Sequence, residues 1–169
     1  MEAVPIKVAQ AQPALDFALL RSDLLDAFSD LESEVSMILR SAGIAPSNEP
    51  FGNRLQKLKE ADKTPRIARA NRPARDQIVD SLAELLPIRA DIVHSRMRLA
   101  RLDDEPVALF INAQEAGTNY APARVLTLTQ MRQLVAQVNR LGKRIRDLGR
   151  TVNPASSPPP PSPGAAGDP

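Results

Sequence analysis

The sequence predicts a mainly α-helical bundle, all-α in class apart from a small β-hairpin insertion, followed by a disordered Pro-rich C-terminal tail. Three observations carry this. Apolar residues recur at steps of three and four along most of the chain, the spacing of one helix face. One β-branched and aromatic run, Val107 to Ile111, breaks that period. From Thr151 the chain reads TVNPASSPPPPSPGAAGDP, with Asp168 its only charged side chain and no large apolar residue after Val152. Such a segment cannot bury enough surface to offset its ordering entropy. The 169 residues therefore divide into an N-terminal arm (1–13), one helical domain (14–149) and the tail (150–169).

The first helix is expected from Ala14 to Ala42, where Phe17, Leu20, Leu24, Ala27, Leu31, Val35 and Ile38 form a continuous stripe. Gly43 then stands where a helix end favours a left-handed residue, and Pro46 and Pro50 keep the following segment extended. Phe51 to Ala61 reads as a short helix that turns Leu55 and Leu58 inward. After a basic, turn-rich linker (62–72), Asn71 is a candidate N-cap with Pro73 close behind it. A third helix runs from Pro73 to Ser95, with Ile78, Leu82, Leu85, Ile88 and Ile92 as its stripe. Pro87 removes a donor and crowds the Ala83 carbonyl, which predicts one helix kinked at that point. Arg96–Leu102 and Val107–Ile111 form the hairpin around Asp103-Asp104-Glu105-Pro106. Residues 112–126 read as a loop, and a final helix from Thr127 or Thr129 to Leu148 carries Met131, Leu134, Val138, Leu141, Ile145 and Leu148.

Composition narrows the function classes. The chain has no cysteine and one histidine, which removes disulfides, thiolate catalysis and Cys- or multi-His metal centres. No metal site and no cofactor are expected. Met1-Glu2-Ala3-Val4-Pro5 lacks the basic and apolar regions of a secretory leader, and no apolar run reaches membrane-spanning length. A soluble cytoplasmic protein without a membrane partner is the expectation. Net charge is only +2, but the basic residues cluster: Arg54 to Arg75, then Arg96, Arg98 and Arg101, then Lys143 to Arg150. Phosphate binding and ordinary solvated helix faces explain these clusters equally well. Asp76, Asp80 and Glu84 share one helical strip and read as a solvated face rather than a metal site.

The stretch Ile88-Arg89-Ala90-Asp91-Ile92-Val93-His94-Ser95 carries the candidate site. At about 100° per residue, Arg89 falls between Leu82 and Leu85, inside the apolar arc, so it is expected to be buried. A buried guanidinium cannot shed its charge and needs a partner or a polar cleft; Asp23 and Asp26 are candidate partners if its role is structural. His94 follows at the edge of the arc and is the chain's only side chain that titrates near neutral pH. Asp91, three residues before it, is a candidate to orient the ring.

Four helical segments with Arg-x4-His late in a long, bent helix resemble the HEPN family, small helical domains of prokaryotic toxin–antitoxin, phage-defence and RNA-processing systems. Arg89 and His94 fall on the family's two motif positions. Ala90 departs from the polar residue, often asparagine, that usually follows the arginine. The resemblance implies a HEPN-like up-and-down bundle acting as a metal-independent endoribonuclease, with Arg89 and His94 catalytic. It further implies a homodimer whose two motifs share a cleft, RNA as substrate, and a cognate antitoxin or nucleotidyltransferase-like partner. The alternative, which Ala90 favours, is a non-catalytic HEPN-like interaction or nucleotide-binding module.

Overall fold

The computed structural model describes residues 6–45, 48–61, 67, 71–112 and 124–150. The tail, most of the basic linker and the start of the N-terminal arm lie outside these residues. The elements are α1 (Ile6–Ser41), α2 (Phe51–Glu60), α3 (Arg72–Ala83), α4 (Leu86–His94), β1 (Ser95–Leu102), β2 (Glu105–Asn112), β3 (Arg124–Thr127) and α5 (Leu128–Arg150). The protein is thus mainly helical with a small three-stranded antiparallel sheet, ordered β1-β2-β3.

The core follows the two long stripes. Phe17, Leu24, Leu31, Val35 and Ile38 of α1 are fully buried against Met131, Val138 and Ile145 of α5, with Leu55, Leu58, Ile78, Leu82 and Ile92 filling from the shorter helices. One face of the sheet, bearing Ala108, Phe110 and Leu126, closes the core.

Local chemistry sets the element ends. Gly43 (φ +76°) closes α1 in a Schellman turn: its N–H donates to the Arg40 carbonyl and the Ile44 N–H donates to the Leu39 carbonyl, each at 3.0 Å. Asp103 and Asp104, at φ 48° and 65°, make the left-handed pair that matches the twist of a tight hairpin. At the start of α5 the Gln130 N–H donates to Thr127 Oγ1 at 3.2 Å, and the Thr127 N–H donates to Gln130 Oε1 at 2.9 Å. This reciprocal capping box satisfies two otherwise unpaired donors. Thr127→Ala should lower stability by about 1 kcal/mol in urea unfolding, whereas Thr129→Ala, exposed in the same turn and no part of the reciprocal pair, should be nearly silent.

Four expectations are corrected. First, α1 begins at Ile6, eight residues before Ala14: Pro13 lies inside it and removes one helical donor, while Lys7, Ala9, Gln10, Ala11 and Gln12 favour helix. Second, Pro87 does not kink a continuous helix. The chain breaks at Glu84-Leu85, still in right-handed conformation, and Pro87 stands in the first turn of α4, where its missing donor costs nothing. Third, the segment read as a loop over 112–126 ends in β3, which pairs with β2 from Phe110↔Arg124 to Val107↔Thr127. A four-residue strand is too short to show alternation. Fourth, the Asn71 side chain occupies the N-cap position of α3 without making a capping hydrogen bond.

Candidate functional site

Helix α1 holds both ends of α4. Near the start of α4, Arg89 reaches across to Glu32, with Nη2 at 2.5 Å from Oε1. The other carboxylate oxygen of Glu32 accepts from Arg54 Nη2 of α2 at 2.6 Å. Arg54 also donates through Nη1 to Ser36 Oγ at 2.9 Å. One carboxylate is therefore clamped between two guanidiniums from two different helices. Each guanidinium also lies over an aromatic ring, Arg89 over Phe28 at 5.9 Å and Arg54 over Phe51 at 5.5 Å, where cation–π attraction adds to the ion pair. The Arg89–Glu32 contact is a close ion pair rather than a hydrogen bond, and Arg89 Nε is buried with no hydrogen-bond partner among the described residues.

This corrects the placement of Arg89. Its side chain is 28% exposed rather than buried in the core, and its partner is Glu32, not Asp23 or Asp26. Helical phase gives the direction in which a side chain leaves the backbone, not its reach, and the long Arg89 side chain extends from α4 to Glu32 of α1. The Arg89 side chain stays partly exposed beside the clamp.

His94 is the last residue of α4 and is exposed. The end of α4 is fixed from α1: Arg21 Nη2 donates to the Ile92 carbonyl at 2.9 Å and to the Ser95 carbonyl at 3.2 Å. Carbonyls of a final helical turn lack intrahelical donors, and a cation there also opposes the negative end of the helix dipole. Arg21 thus fixes the helix-to-strand junction that carries His94. Arg89 and His94 lie about 7.5 Å apart along the helix axis and about 140° apart around it. No hydrogen bond or ion pair joins them among the described residues.

Asp91 does not orient His94. Its carboxylate accepts from Arg124 Nε at 2.8 Å and pairs with Nη2 at 2.7 Å, tying α4 to β3. Much of the basic clustering is also engaged internally. Arg75 is buried at 3% exposure, Lys57 pairs with Glu49, Lys59 with Asp80, and Arg144 donates to Gln77. Asp76 and Asp80 of the acidic strip pair with Arg75 and Lys59. Arg96 and Arg98 of β1, directly after His94, are exposed.

Glu32, Arg21 and Arg124 were not singled out from the sequence, and Arg54 was read only as a member of a basic cluster. Taking Phe17 as reference, Arg21 and Glu32 project at roughly 40° and 60° on the same margin of the α1 stripe. The test that flagged Arg89 would have flagged both.

Compared with known proteins, the chain matches no family model, no curated sequence and no solved structure. No described helix is long and apolar enough to cross a membrane.

Proposed function

We propose that the chain is a HEPN-like endoribonuclease of toxin–antitoxin or phage-defence type, acting in the cytoplasm as a homodimer in which Arg89 and His94 of both copies share one cleft. The observation that supports this most is the construction around α4. The only histidine is exposed at a helix end fixed by Arg21, five residues beyond a partly exposed arginine held by Glu32. Fixing a reactive side chain on a regular element through its neighbours is what a catalytic group requires.

In this reading the neutral imidazole of His94 takes the proton from a ribose 2′-hydroxyl. The 2′-oxygen attacks the adjacent phosphorus, and the bond to the 5′-oxygen breaks. The products are a 2′,3′-cyclic phosphate and a 5′-hydroxyl, whose proton comes from the imidazolium of the other copy. Arg89 stabilises the charge that builds on the non-bridging oxygens. The step needs no metal, so cleavage should persist in chelator.

The competing proposal is a non-catalytic interaction module, favoured by the engagement of Arg89 with Glu32 and by Ala90. An RNA-cleavage assay in EDTA separates the two. The wild-type protein should cleave and His94→Ala should lose at least about 100-fold, the scale of a general acid–base contribution. The melting temperature should be unchanged, because His94 is exposed and makes no hydrogen bond among the described residues. A folded His94→Ala protein that cleaves at the wild-type rate, or a wild-type protein that cleaves nothing, would leave the interaction module. Sedimentation at micromolar concentration checks the dimer, and a cognate antitoxin or nucleotidyltransferase-like protein encoded alongside would support the toxin assignment.

A further inference from the structure

The outward face of α1 carries a polar stripe that faces a cavity. Ser29, Ser33, Ser36 and Arg40 follow at steps of four, three and four, which places them within roughly 60° of arc. With Arg54 of α2 and Met37 they line a solvent-open cavity of about 540 Å³ between the two helices, and Glu32 forms part of its wall. That volume lies within the range of small-molecule sites. Serine is a weak helix former because its hydroxyl competes for the backbone. Three serines on one face of a long helix, all turned to a cavity that larger side chains could fill, call for a chemical reason.

Charge supplies it. Glu32 is one negative group between the positive groups Arg54 and Arg89. Arg40 adds a third guanidinium, exposed and without an ion pair among the described residues. The cavity lining itself sets Arg40 and Arg54 against Glu32, an excess of one positive charge surrounded by hydroxyl donors. Ser36 Oγ accepts from Arg54, so its own proton remains free to donate. Guanidinium forks and hydroxyls match the several oxygens of a tetrahedral phosphoryl group, which accepts from more donors at once than a planar carboxylate does. Met37, 41% exposed, offers an apolar surface beside it.

We infer that the α1–α2 cavity binds the phosphoryl group of a small phosphate monoester, with Arg40, Arg54 and the hydroxyls of Ser29, Ser33 and Ser36 as its ligands. The site uses neither Arg89 nor His94 directly and does not depend on the proposed ribonuclease activity.

Calorimetric titration with adenosine 5′-monophosphate tests it, in a phosphate-free buffer at fixed ionic strength. The wild-type protein should bind with a dissociation constant below about 1 mM, and adenosine should give no heat of binding. Inorganic phosphate binding as well as the nucleotide would support the site and identify free phosphate as its ligand. Arg40 and Ser33 are exposed, so the double variant R40Q/S33A should fold normally. It should bind at least about tenfold more weakly, the loss of one charge-assisted contact. His94→Ala should bind like wild type, which separates this site from the catalytic proposal. No heat with either phosphate compound, equal binding of adenosine, or undiminished binding by the folded double variant would overturn the inference.

Discussion

Glu32→Ala should destabilise the protein by about 3 kcal/mol, the scale of stranding partly buried charges by removing their common partner. The reason is an asymmetry in the clamp. Glu32 and Arg54 have side chains 17% and 16% exposed, and Arg89 is 28% exposed. Removing the carboxylate leaves two guanidiniums facing each other, and neither can lose its charge. Removing either arginine leaves the carboxylate with the other. Arg54→Ala should therefore cost about 1–2 kcal/mol, nearer the value of a charged hydrogen bond, and Arg89→Ala, which loses an ion pair without a hydrogen bond, about 1 kcal/mol. Glu32→Gln keeps the shape and one acceptor oxygen and should fall between the two cases. Urea unfolding of the four variants measures the order directly. If Arg89→Ala proved as damaging as Glu32→Ala, the three groups would not be acting as a shared clamp. The same series bears on function, because Arg89→Ala should be folded well enough for a cleavage assay.

Much of the fold was legible from residue spacing. The stripes of α1 and α5 name their buried residues because a long helix repeats its period many times, so single exceptions do not obscure it. Gly43, Thr127 and the Asp103-Asp104 turn were legible for a different reason: each terminus has a local chemical requirement that few residue types satisfy. The failures share a cause as well. β3 has four residues, too few for alternation to register, and the break at Glu84-Leu85 lies in a sequence whose apolar pattern runs through it unchanged. Periodicity reports which side of a rod is apolar, not whether the rod is continuous.

The candidate site was legible in part. Arg89 stood out because a cation in an apolar arc needs an explanation, and the explanation is Glu32. That partner is remote in sequence, and pairing between distant helices depends on their packing, which no local pattern encodes. Asp91 shows the same limit from the other side. Its place on the His94 side of the helix suggested a role at the ring, but Arg124, brought close by the unanticipated β3, is the stronger partner. The polar face of α1 was passed over because it resembles any solvated helix face until α2 packs beside it and makes a cavity.

The largest loss outside the apolar core should come from Arg75→Ala, at about 3–4 kcal/mol. Arg75 belongs to the basic cluster that suggested phosphate binding, yet only 3% of it is exposed. Its guanidinium faces the end of α2. Nη1 donates to the Ala61 carbonyl at 2.9 Å, Nη2 to the Lys59 carbonyl at 2.8 Å, and Nε to Asp76 Oδ1 at 2.8 Å. The carbonyls at a helix C-terminus have no intrahelical donors, and here they are met by a charge that also suits the negative end of the dipole. Alanine would leave those carbonyls unpaired and open a void where the guanidinium stood. Arg75→Lys should recover less than half of the loss, because a single ammonium on a flexible stem does not reproduce a planar fork that spans two carbonyls and a carboxylate. Urea unfolding gives the magnitudes. Hydrogen exchange gives the location, with protection lost first over Leu55 to Glu60 in α2 and retained in α5. An Arg75→Lys protein as stable as wild type would mean that the charge alone, rather than its geometry, closes α2.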